Sequence, residues 1–315
     1  MRSLLEQAKL LKLTNLMSIF YNYSKPTGAI RVTGEDAEDY LQSQWTINVK
    51  TLKPDNIGYG LRLSTKGRVL ADAYFLRLDE EEFMLFSRGC TGSNIISLLE
   101  ENIVADEVEF LNESNDWKWI TFWNDNEKNQ STPPNFPSPQ SDCFDNFKNG
   151  FFFKDFCISK NSYALLHPAS ESIEPNDAYE EVSLDELNKR RLKSGLPSVP
   201  SEIGPSELPQ EGRLENLAID FNKGCYLGQE VMARIHAMGR VRKQTISIRW
   251  HGTKAPELPC PVVLGEKNVG SLKTLFPQDN QYFIGTALIH ETGIDVLKKE
   301  GLSIVTHGEE KIHIF

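Results

Sequence analysis

The chain has 315 residues and a formal net charge of −10 at pH 7, with 39% hydrophobic residues. This acidic balance excludes a generic binder of nucleic-acid backbones, because such proteins carry a basic footprint. No stretch approaches the roughly 20 apolar residues that a bilayer span requires. We therefore expect a soluble protein of two or three domains, without strong direct nucleic-acid binding and without membrane insertion.

The first 20 residues are rich in leucine, interrupted by charged side chains, and show no signal-peptide pattern. They predict an amphipathic helix or a poorly ordered extension. An organelle presequence is the alternative, although Glu6 and the lack of arginine beyond Arg2 count against it.

The cysteines are five in number and widely spaced: Cys90, Cys143, Cys157, Cys225 and Cys260. No Cys-x-x-Cys occurs, and no histidine spacing gives a metal framework, so no metal site is predicted. The pattern favours a reducing compartment. It also predicts that the chain alone does not build a four-cysteine iron–sulfur site.

The first half predicts an antiparallel α+β arrangement, because strands and helices do not alternate as in a doubly wound sheet. Thr65-Lys66-Gly67 reads as the turn of a hairpin. The predicted strands are 30–33, 59–64, 69–78 and 80–86. One helix is predicted to open at 34–37 and run to about Gln44, and another spans 91–103.

A stretch rich in Asn, Ser, Pro, Asp and Gln follows at 124–149 and predicts a polar insert without a core. Strands are predicted again at 151–153 and 163–166. A helix is predicted over 182–194, with Ser183 as N-cap and Glu186 completing a capping box.

Beyond Gly239 the pattern changes to short strands separated by turns, which is typical of a small antiparallel barrel or sandwich. The predicted strands are 245–250, 262–264, 269–275, 282–289 and 304–315. We predict domains at 1–240, with two interleaved subdomains, and at 241–315.

The segment Lys223 to Glu230, Lys-Gly-Cys-Tyr-Leu-Gly-Gln-Glu, carries the strongest chemical signal. Residues 217–221 predict a strand before it, and Gln229 to Ala237 predict a helix after it. A thiol beside a lysine and a helix N-terminus has a depressed pKa, so Cys225 is a candidate reactive thiol with Lys223 as its activator. The alternative is a tight structural turn with a buried, unreactive thiol.

This octapeptide, followed by Arg234, resembles the signature of the YgfZ-type folate-binding proteins. They belong to the superfamily of the glycine-cleavage T-protein, an aminomethyltransferase, and include iron–sulfur assembly factors. The resemblance implies an α+β fold: a T-protein-like folate-binding lobe of antiparallel sheets flanked by helices, plus a small C-terminal all-β barrel.

Two further segments resemble landmarks of the superfamily but depart from its transferases. Lys66 to Asp72 matches the segment that carries adjacent acids at the folate's reacting nitrogen, yet Ala71 replaces the first acid and only Asp72 remains. Arg191 to Pro197 matches a second landmark, where Lys193 stands in place of a pterin-reading glutamate. An ammonium group only donates hydrogen bonds, so it cannot take over that role.

The resemblance therefore implies a tetrahydrofolate-binding accessory protein for iron–sulfur cluster assembly or repair, or for iron–sulfur enzymes such as tRNA-modifying ones. Its partners would be a reduced folate and iron–sulfur proteins or assembly factors. The expected location is the cytoplasm, or the mitochondrial matrix in a eukaryote. The alternatives are a folate-dependent one-carbon transferase and a non-catalytic scaffold. Besides Cys225 and Lys223, the candidate folate-binding residues are Asp72, Glu211, Gly224, Tyr226, Gly228, Gln229, Glu230 and Arg234.

Overall fold

The computed structural model describes residues 19–124, 132–252, 255–278, 282–304 and 311–315. The strands of this part of the chain are β1 (Ile19–Ser24), β2 (Gly28–Thr33), β3 (Ile57–Leu63), β4 (Val69–Arg77), β5 (Glu82–Ser87), β6 (Glu109–Asn112), β7 (Trp117–Asn124), β8 (Phe144–Phe147), β9 (Gly150–Lys154), β10 (Ser162–Pro168), β11 (Glu180–Glu181), β12 (Lys243–Trp250), β13 (Cys260–Leu264), β14 (Lys267–Pro277), β15 (Phe283–His290), β16 (Leu302–Ile304) and β17 (Lys311–Ile314).

The α-helices of the same ranges are short. They are α1 (Ala37–Gln44), α2 (Gly92–Glu100), α3 (Leu184–Lys193), α4 (Glu215–Ala218), α5 (Gln229–Met238) and α6 (Glu291–Lys299), with 3₁₀ turns at Val49–Thr51 and Pro209–Gly212. Among them, none has both the length and the apolar character that crossing a membrane requires.

The described strands form three sheets. The first has the order β3-β4-β5-β2-β6, the second β11-β1-β7-β10-β9-β8, and the third is a closed barrel, β12-β15-β14-β13-β16-β17. Pairing is antiparallel except between β1 and the two-residue β11. The predicted antiparallel α+β lobe and the C-terminal barrel are confirmed, and α6 adds a helix to the barrel.

The first two sheets pack face to face through aromatic side chains. Phe86 lies 5.3 Å from Trp117, and Tyr74 lies 5.9 Å from Trp119 and 5.3 Å from Phe153, measured between ring centroids. Such tilted pairs contribute about 0.5–1.5 kcal/mol each beyond the area they bury. The interface between these sheets is therefore the main core of the lobe.

The barrel has a separate apolar core, in which Trp250 and Ile289 are fully buried. One residue of α6, Leu297, is buried in the same core. The helix follows β15 directly and was not predicted, because its nine residues lie between strand-like segments.

A hydrogen bond to a buried ion pair of the lobe, and a second ion pair, hold the barrel against the lobe. The guanidinium of Arg191 binds both carboxylate oxygens of Glu202 at 2.8 and 2.9 Å, and Thr274 of β14 donates to the same carboxylate at 2.6 Å. Next to it, Lys273 Nζ lies 2.9 Å from Glu207 Oε1. Glu202 is fully buried, so its pair is held in a low-dielectric site where geometry decides stability.

The sequence predictions need three corrections. The strand predicted at 217–221 is wrong, because α4 ends at Ala218 and is followed by non-strand backbone. The 124–149 segment is not without a core, since Phe136 stacks on Phe152 at 5.0 Å and β8 adds a strand to the second sheet. The strand predicted at 304–315 is two strands, β16 and β17, with 305–310 outside the described residues.

Several other predicted elements are confirmed. The N-cap of α3 is Ser183, whose side chain accepts a hydrogen bond from the backbone N–H of Glu186. The reciprocal half of the capping box does not form, because the Glu186 carboxylate pairs with Lys189 instead. The extension over residues 1–18 and part of the polar insert, 125–131, lie outside the described residues, and the domain boundaries stay a prediction.

The buried Arg191–Glu202 pair yields a test of how much this interaction stabilises the protein. Glu202→Gln keeps the shape of the side chain but leaves a buried guanidinium without its counter-charge. We expect the free energy of unfolding, measured by urea denaturation, to fall by about 3–5 kcal/mol. The matched control is Glu291→Gln, which breaks the exposed Arg240–Glu291 pair and should cost under about 1 kcal/mol. Equal small losses in both variants would contradict this view.

Candidate functional site

The segment before α5 is tied to the end of helix α1. The backbone N–H of Asp220 donates to the Thr46 carbonyl at 3.0 Å, and that of Leu227 donates to the Ser43 carbonyl at 3.1 Å. The signature segment therefore lies across the C-terminal end of α1, where helical carbonyls have no intrahelical partner.

Lys223 provides the central contact of this attachment. Its ammonium donates to the carbonyl oxygens of Gln42, Trp45 and Ile47 at 2.7, 2.7 and 2.6 Å, and the residue is 6% exposed. A cation at this position also complements the negative end of the helix dipole. Burial lowers the pKa of Lys223 to about 7, and the nearby charge of Asp220 opposes this shift. Because all three contacts are to carbonyl oxygens, which only accept, the side chain makes them as an ammonium with three hydrogens.

The structure corrects the role expected for Lys223. All three N–H donors of its ammonium are used on carbonyls, so none is left to stabilise a Cys225 thiolate. Cys225 and Gly224 are both exposed, and no hydrogen bond or ion pair is found for the Cys225 side chain within the described ranges. The thiol is thus not buried in the turn and receives no hydrogen bond from the Lys223 ammonium, and its reactivity stays a prediction.

Gly228 fits the signature against the β3–β4 turn. Its φ is +84°, and a Cβ there would lie 2.7 Å from the Ser64 carbonyl oxygen, so a larger residue would be both strained and obstructed. Helix α5 begins directly after it, as predicted, and buries Met232 against the same turn. The glycine is required here by close packing.

The remaining signature residues divide by exposure. Tyr226 is 7% exposed, and the Lys223 ammonium lies 5.2 Å from its ring centroid. Gln229 is half-buried, whereas Glu230 and Arg234 are exposed. No ion pair joins Glu230 to Arg234 in the part of the chain that the structure describes, so their side chains are available to an external partner.

Glu211 is a buried acid in the turn that precedes α4. It is 7% exposed, and its carboxylate accepts a hydrogen bond from the backbone N–H of Leu208 at 2.8 Å. The carboxylate closes the 3₁₀ turn that leads into α4, with Arg68 at 3.9 Å. These contacts give Glu211 a structural role and account for the burial of its carboxylate. Its predicted folate contact stays a prediction.

Asp72 lies in a different place, on β4 at the interface between the first two sheets. Its carboxylate accepts hydrogen bonds from Tyr59 Oη at 2.7 Å, Ser87 Oγ at 2.8 Å and Cys90 Sγ at 3.5 Å. Burial raises the pKa of Asp72 above its ordinary value of 3.8, although these three donors oppose the shift. Asp72 nevertheless keeps some accessible surface.

A second buried carboxylate lies close to the first group. Asp155 accepts a hydrogen bond from Tyr74 Oη at 2.6 Å and pairs with Arg88. Arg88 also donates to Thr121 Oγ1 at 2.7 Å, and its guanidinium lies 3.9 Å from the ring centroid of Trp119.

The residues around Asp72 and those around Asp155 meet through aromatic rings. The ring centroids of Tyr59 and Tyr74 are 5.3 Å apart, and the ring of Phe156 contacts both. Burial also raises the pKa of the nearby Cys157 thiol, which is thereby kept neutral. We call these residues the intersheet cluster: Tyr59, Asp72, Tyr74, Arg88, Cys90, Asp155, Phe156 and Cys157. It combines Asp72, whose pKa is raised by burial, with flat aromatic rings and partly exposed atoms.

Sequence reasoning found Asp72 in this cluster but missed the others. A signal existed for Tyr74, because Asp72 and Tyr74 are two residues apart on one face of an otherwise apolar strand. Arg88 and Asp155 gave no local signal, since they meet only when the sheets pack. Lys193 is exposed and Ala71 is buried, so neither contributes a carboxylate to this region.

The described part of the chain contains no group of three or more His, Cys, Asp or Glu side chains that could hold a metal ion. The site is thus made of two separate features. One is the intersheet cluster, and the other is the attached signature segment with exposed Cys225.

Comparisons with known proteins agree with this architecture. The GCVT N-terminal domain family matches residues 24–123. The glycine cleavage system aminomethyltransferase T from Bartonella henselae has a similar structure, with a TM-score of 0.74, 14% identity, and coverage of 95% of this chain and 85% of that one. At this identity the likeness concerns the fold alone.

Two curated relatives are more similar in sequence. The iron–sulfur cluster assembly factor IBA57 homolog, mitochondrial, of Coccidioides immitis is 27% identical over 261 residues, which cover 74% of this chain and 57% of that protein. The tRNA-modifying protein YgfZ of Hamiltonella defensa is 26% identical over 251 residues, covering 74% and 69%. The matched region thus spans little more than half the length of the fungal relative.

The fold and the matched domain define a protein of the glycine-cleavage T-protein superfamily. In sequence the chain is similar to the IBA57 homologues, which are named for iron–sulfur cluster assembly, and to YgfZ, which is named for tRNA modification.

The Lys223 attachment predicts a difference between neighbouring signature residues. Lys223→Met keeps the aliphatic stem but leaves three carbonyls without their donor. The free energy of unfolding should fall by about 1–3 kcal/mol, the cost of leaving a buried acceptor without its donor. Cys225→Ser, at an exposed position, should change it by less than about 0.5 kcal/mol. Urea denaturation measures both, and a Lys223→Met variant as stable as wild type would refute the proposed attachment.

Asp72 predicts a pH dependence of stability. Because its pKa is raised in the folded state, its contribution is fully present below 3.8 and is lost as pH rises through the folded-state pKa. Asp72→Asn mimics the protonated acid and removes this dependence. The stability of the variant relative to wild type should therefore increase from pH 4 to pH 8 in urea titrations. A constant difference would show that burial does not raise this pKa.

Proposed function

We propose that the chain binds tetrahydrofolate at the intersheet cluster and acts as an accessory factor in iron–sulfur cluster assembly or repair. The observation that carries the folate part is Asp72, a partly exposed acid with a raised pKa beside the rings of Tyr59 and Phe156. A protonated or shared carboxyl can both donate to and accept from a pterin edge. The ring of Phe156, a partly exposed residue, is the one on which a flat heteroaromatic ring would stack.

The accessory role is favoured over one-carbon transfer for a chemical reason. The transferase segment has adjacent acids, whereas Ala71 is fully buried and has no polar atom in its side chain. Lys193 is exposed and cannot accept hydrogen bonds from a pterin. Folate would then be bound without the full set of groups used for turnover.

The iron–sulfur part of the proposal rests on the relatives and on Cys225. Names of the relatives describe cluster assembly and tRNA modification. Here the thiol is exposed on a segment whose flanking backbone is fixed to α1. A thiolate held in this way could ligate iron on a cluster carried by a partner protein. We therefore assign Cys225 to the contact with a partner protein and Asp72 to the contact with folate.

The names of the IBA57 homologues place those proteins in mitochondria. We propose the matrix for this chain if its source is eukaryotic, and the cytoplasm otherwise.

This division of roles is tested by separating the two functions. Calorimetry with tetrahydrofolate under reducing conditions should show binding to wild type. Asp72→Ala, which removes the polar group that would contact the pterin, should weaken it about tenfold, which corresponds to about 1.4 kcal/mol. Cys225→Ser should bind folate as wild type does, but should fail to rescue a strain that lacks its own assembly factor of this type.

Cys143→Ser is the matched control, because Cys143 is also not buried and lies outside the signature. It should retain both folate binding and rescue. If neither wild type nor variants bind folate while rescue is intact, the folate proposal is wrong and the scaffold alternative is favoured. Full rescue by Cys225→Ser would remove the role assigned to that thiol.

A further inference from the structure

A cleft lies on the face of the six-stranded sheet that points away from the intersheet cluster. Trp117 and Trp119 of β7 point toward the first sheet, so Lys118 between them points away from it. His167 of β10 is paired directly with Lys118 and shares its face. The cleft has a volume of about 420 Å³, within the range of small-molecule sites. Its wall includes His167, Lys118, Lys25, Tyr23, Ile173 and Glu174.

His167 is the unusual member of this wall. The residue is 1% exposed, and its Nδ1 lies 3.0 Å from the Pro168 carbonyl oxygen. A carbonyl only accepts, so Nδ1 carries the proton and the neutral ring presents an acceptor lone pair at Nε2. That Nε2 is buried without a hydrogen-bond partner. Leaving such a group unsatisfied costs about 1–3 kcal/mol, which a donor from a ligand would recover.

The charged groups that act on His167 come from three parts of the sheet and its loops. Lys118 lies on the adjacent strand β7, Lys148 in the β8–β9 turn, and Glu171 in the loop after β10. Burial lowers the pKa of His167, and both lysines lower it further, while Glu171 and the Pro168 carbonyl raise it. The imidazole is therefore held neutral.

The cations at this cleft are not neutralised by carboxylates. Lys118 makes only a 3.5 Å contact with the Glu171 carbonyl, and Lys25 forms no ion pair with any described residue. Glu174 at the rim accepts a hydrogen bond from Ser172 at 2.9 Å instead of pairing with a lysine. Ammonium groups that lack partners around a small concavity favour an anionic ligand.

We propose that this cleft binds a phosphate monoester, with one proton shared between a phosphate oxygen and Nε2 of His167. The ammonium groups of Lys118 and Lys25 neutralise the other oxygens, and Tyr23 and Ile173 contact the organic part. A phosphate monoester suits an acceptor lone pair because its second pKa is about 6, so it can bring the proton that the imidazole lacks. A sulfate ester cannot do so near neutral pH.

The first test compares phenyl phosphate with phenyl sulfate by calorimetry on the full chain at pH 6.5 and pH 7.5. Phenyl phosphate should bind saturably and up to tenfold more weakly at the higher pH, because one proton is taken up with the ligand. At pH 6.5, phenyl sulfate should bind at least tenfold more weakly than phenyl phosphate. Absence of saturable phosphate binding, or equal binding of the two esters, would overturn the proposal.

The second test uses variants that act in opposite directions. Lys118→Met should weaken phenyl phosphate about tenfold, and Glu174→Gln should tighten it by removing a negative charge from the rim. His167→Gln should abolish the pH dependence. Lys53→Met, at an exposed lysine outside the cleft, should leave binding unchanged. If Lys53→Met and Lys118→Met weaken binding equally, the interaction is only a surface-charge effect and the site is refuted.

Discussion

The ammonium of Lys223 on the three carbonyls at the end of α1 is the contact on which the signature segment depends. It joins two parts of the chain that are about 180 positions apart, and it satisfies carbonyls that the helix itself cannot. Gly228 adds a close approach to the β3–β4 turn on the other side. The segment between these two points is therefore fixed at both ends, although its central residues, Gly224 and Cys225, are exposed. A segment fixed at both ends in this way presents the Cys225 thiol in a defined position without burying it.

The intersheet cluster follows a different principle. Two carboxylates lie between sheets whose contact is otherwise aromatic, and each is satisfied by donors from neighbouring strands or loops. Burying polar groups in such a core is costly unless they are hydrogen-bonded, so these donors are what makes the two carboxylates compatible with the core. Asp72 keeps accessible surface while Asp155 is fully buried. Asp72 is the residue that we propose contacts a ligand, and Asp155 supports Tyr74 and Arg88 around it.

The sequence was sufficient for the fold and for part of the site. Alternation and turn residues predicted the hairpin of β3 and β4 and most barrel strands, because those signals are local. The resemblance of the signature supplied the superfamily. Lys223 was misassigned because adjacency along the chain suggested a partnership with Cys225, whereas its acceptors lie on a distant helix. Asp155 and His167 were missed for the same reason, since their importance comes from which strands and loops surround them.

Closure of the C-terminal barrel has a consequence for protein recognition. Strand β17 pairs with β12, so every described barrel strand has neighbours on both sides and none offers a free backbone ladder. A partner that adds a strand of its own must therefore use the lobe, whose sheets end in open strands. One of them, β6, is four residues long and exposes 58% of Leu111. Among the described strands, open backbone groups for a strand added by another protein thus lie in the sheets of the lobe, whereas the barrel strands present side chains and loops.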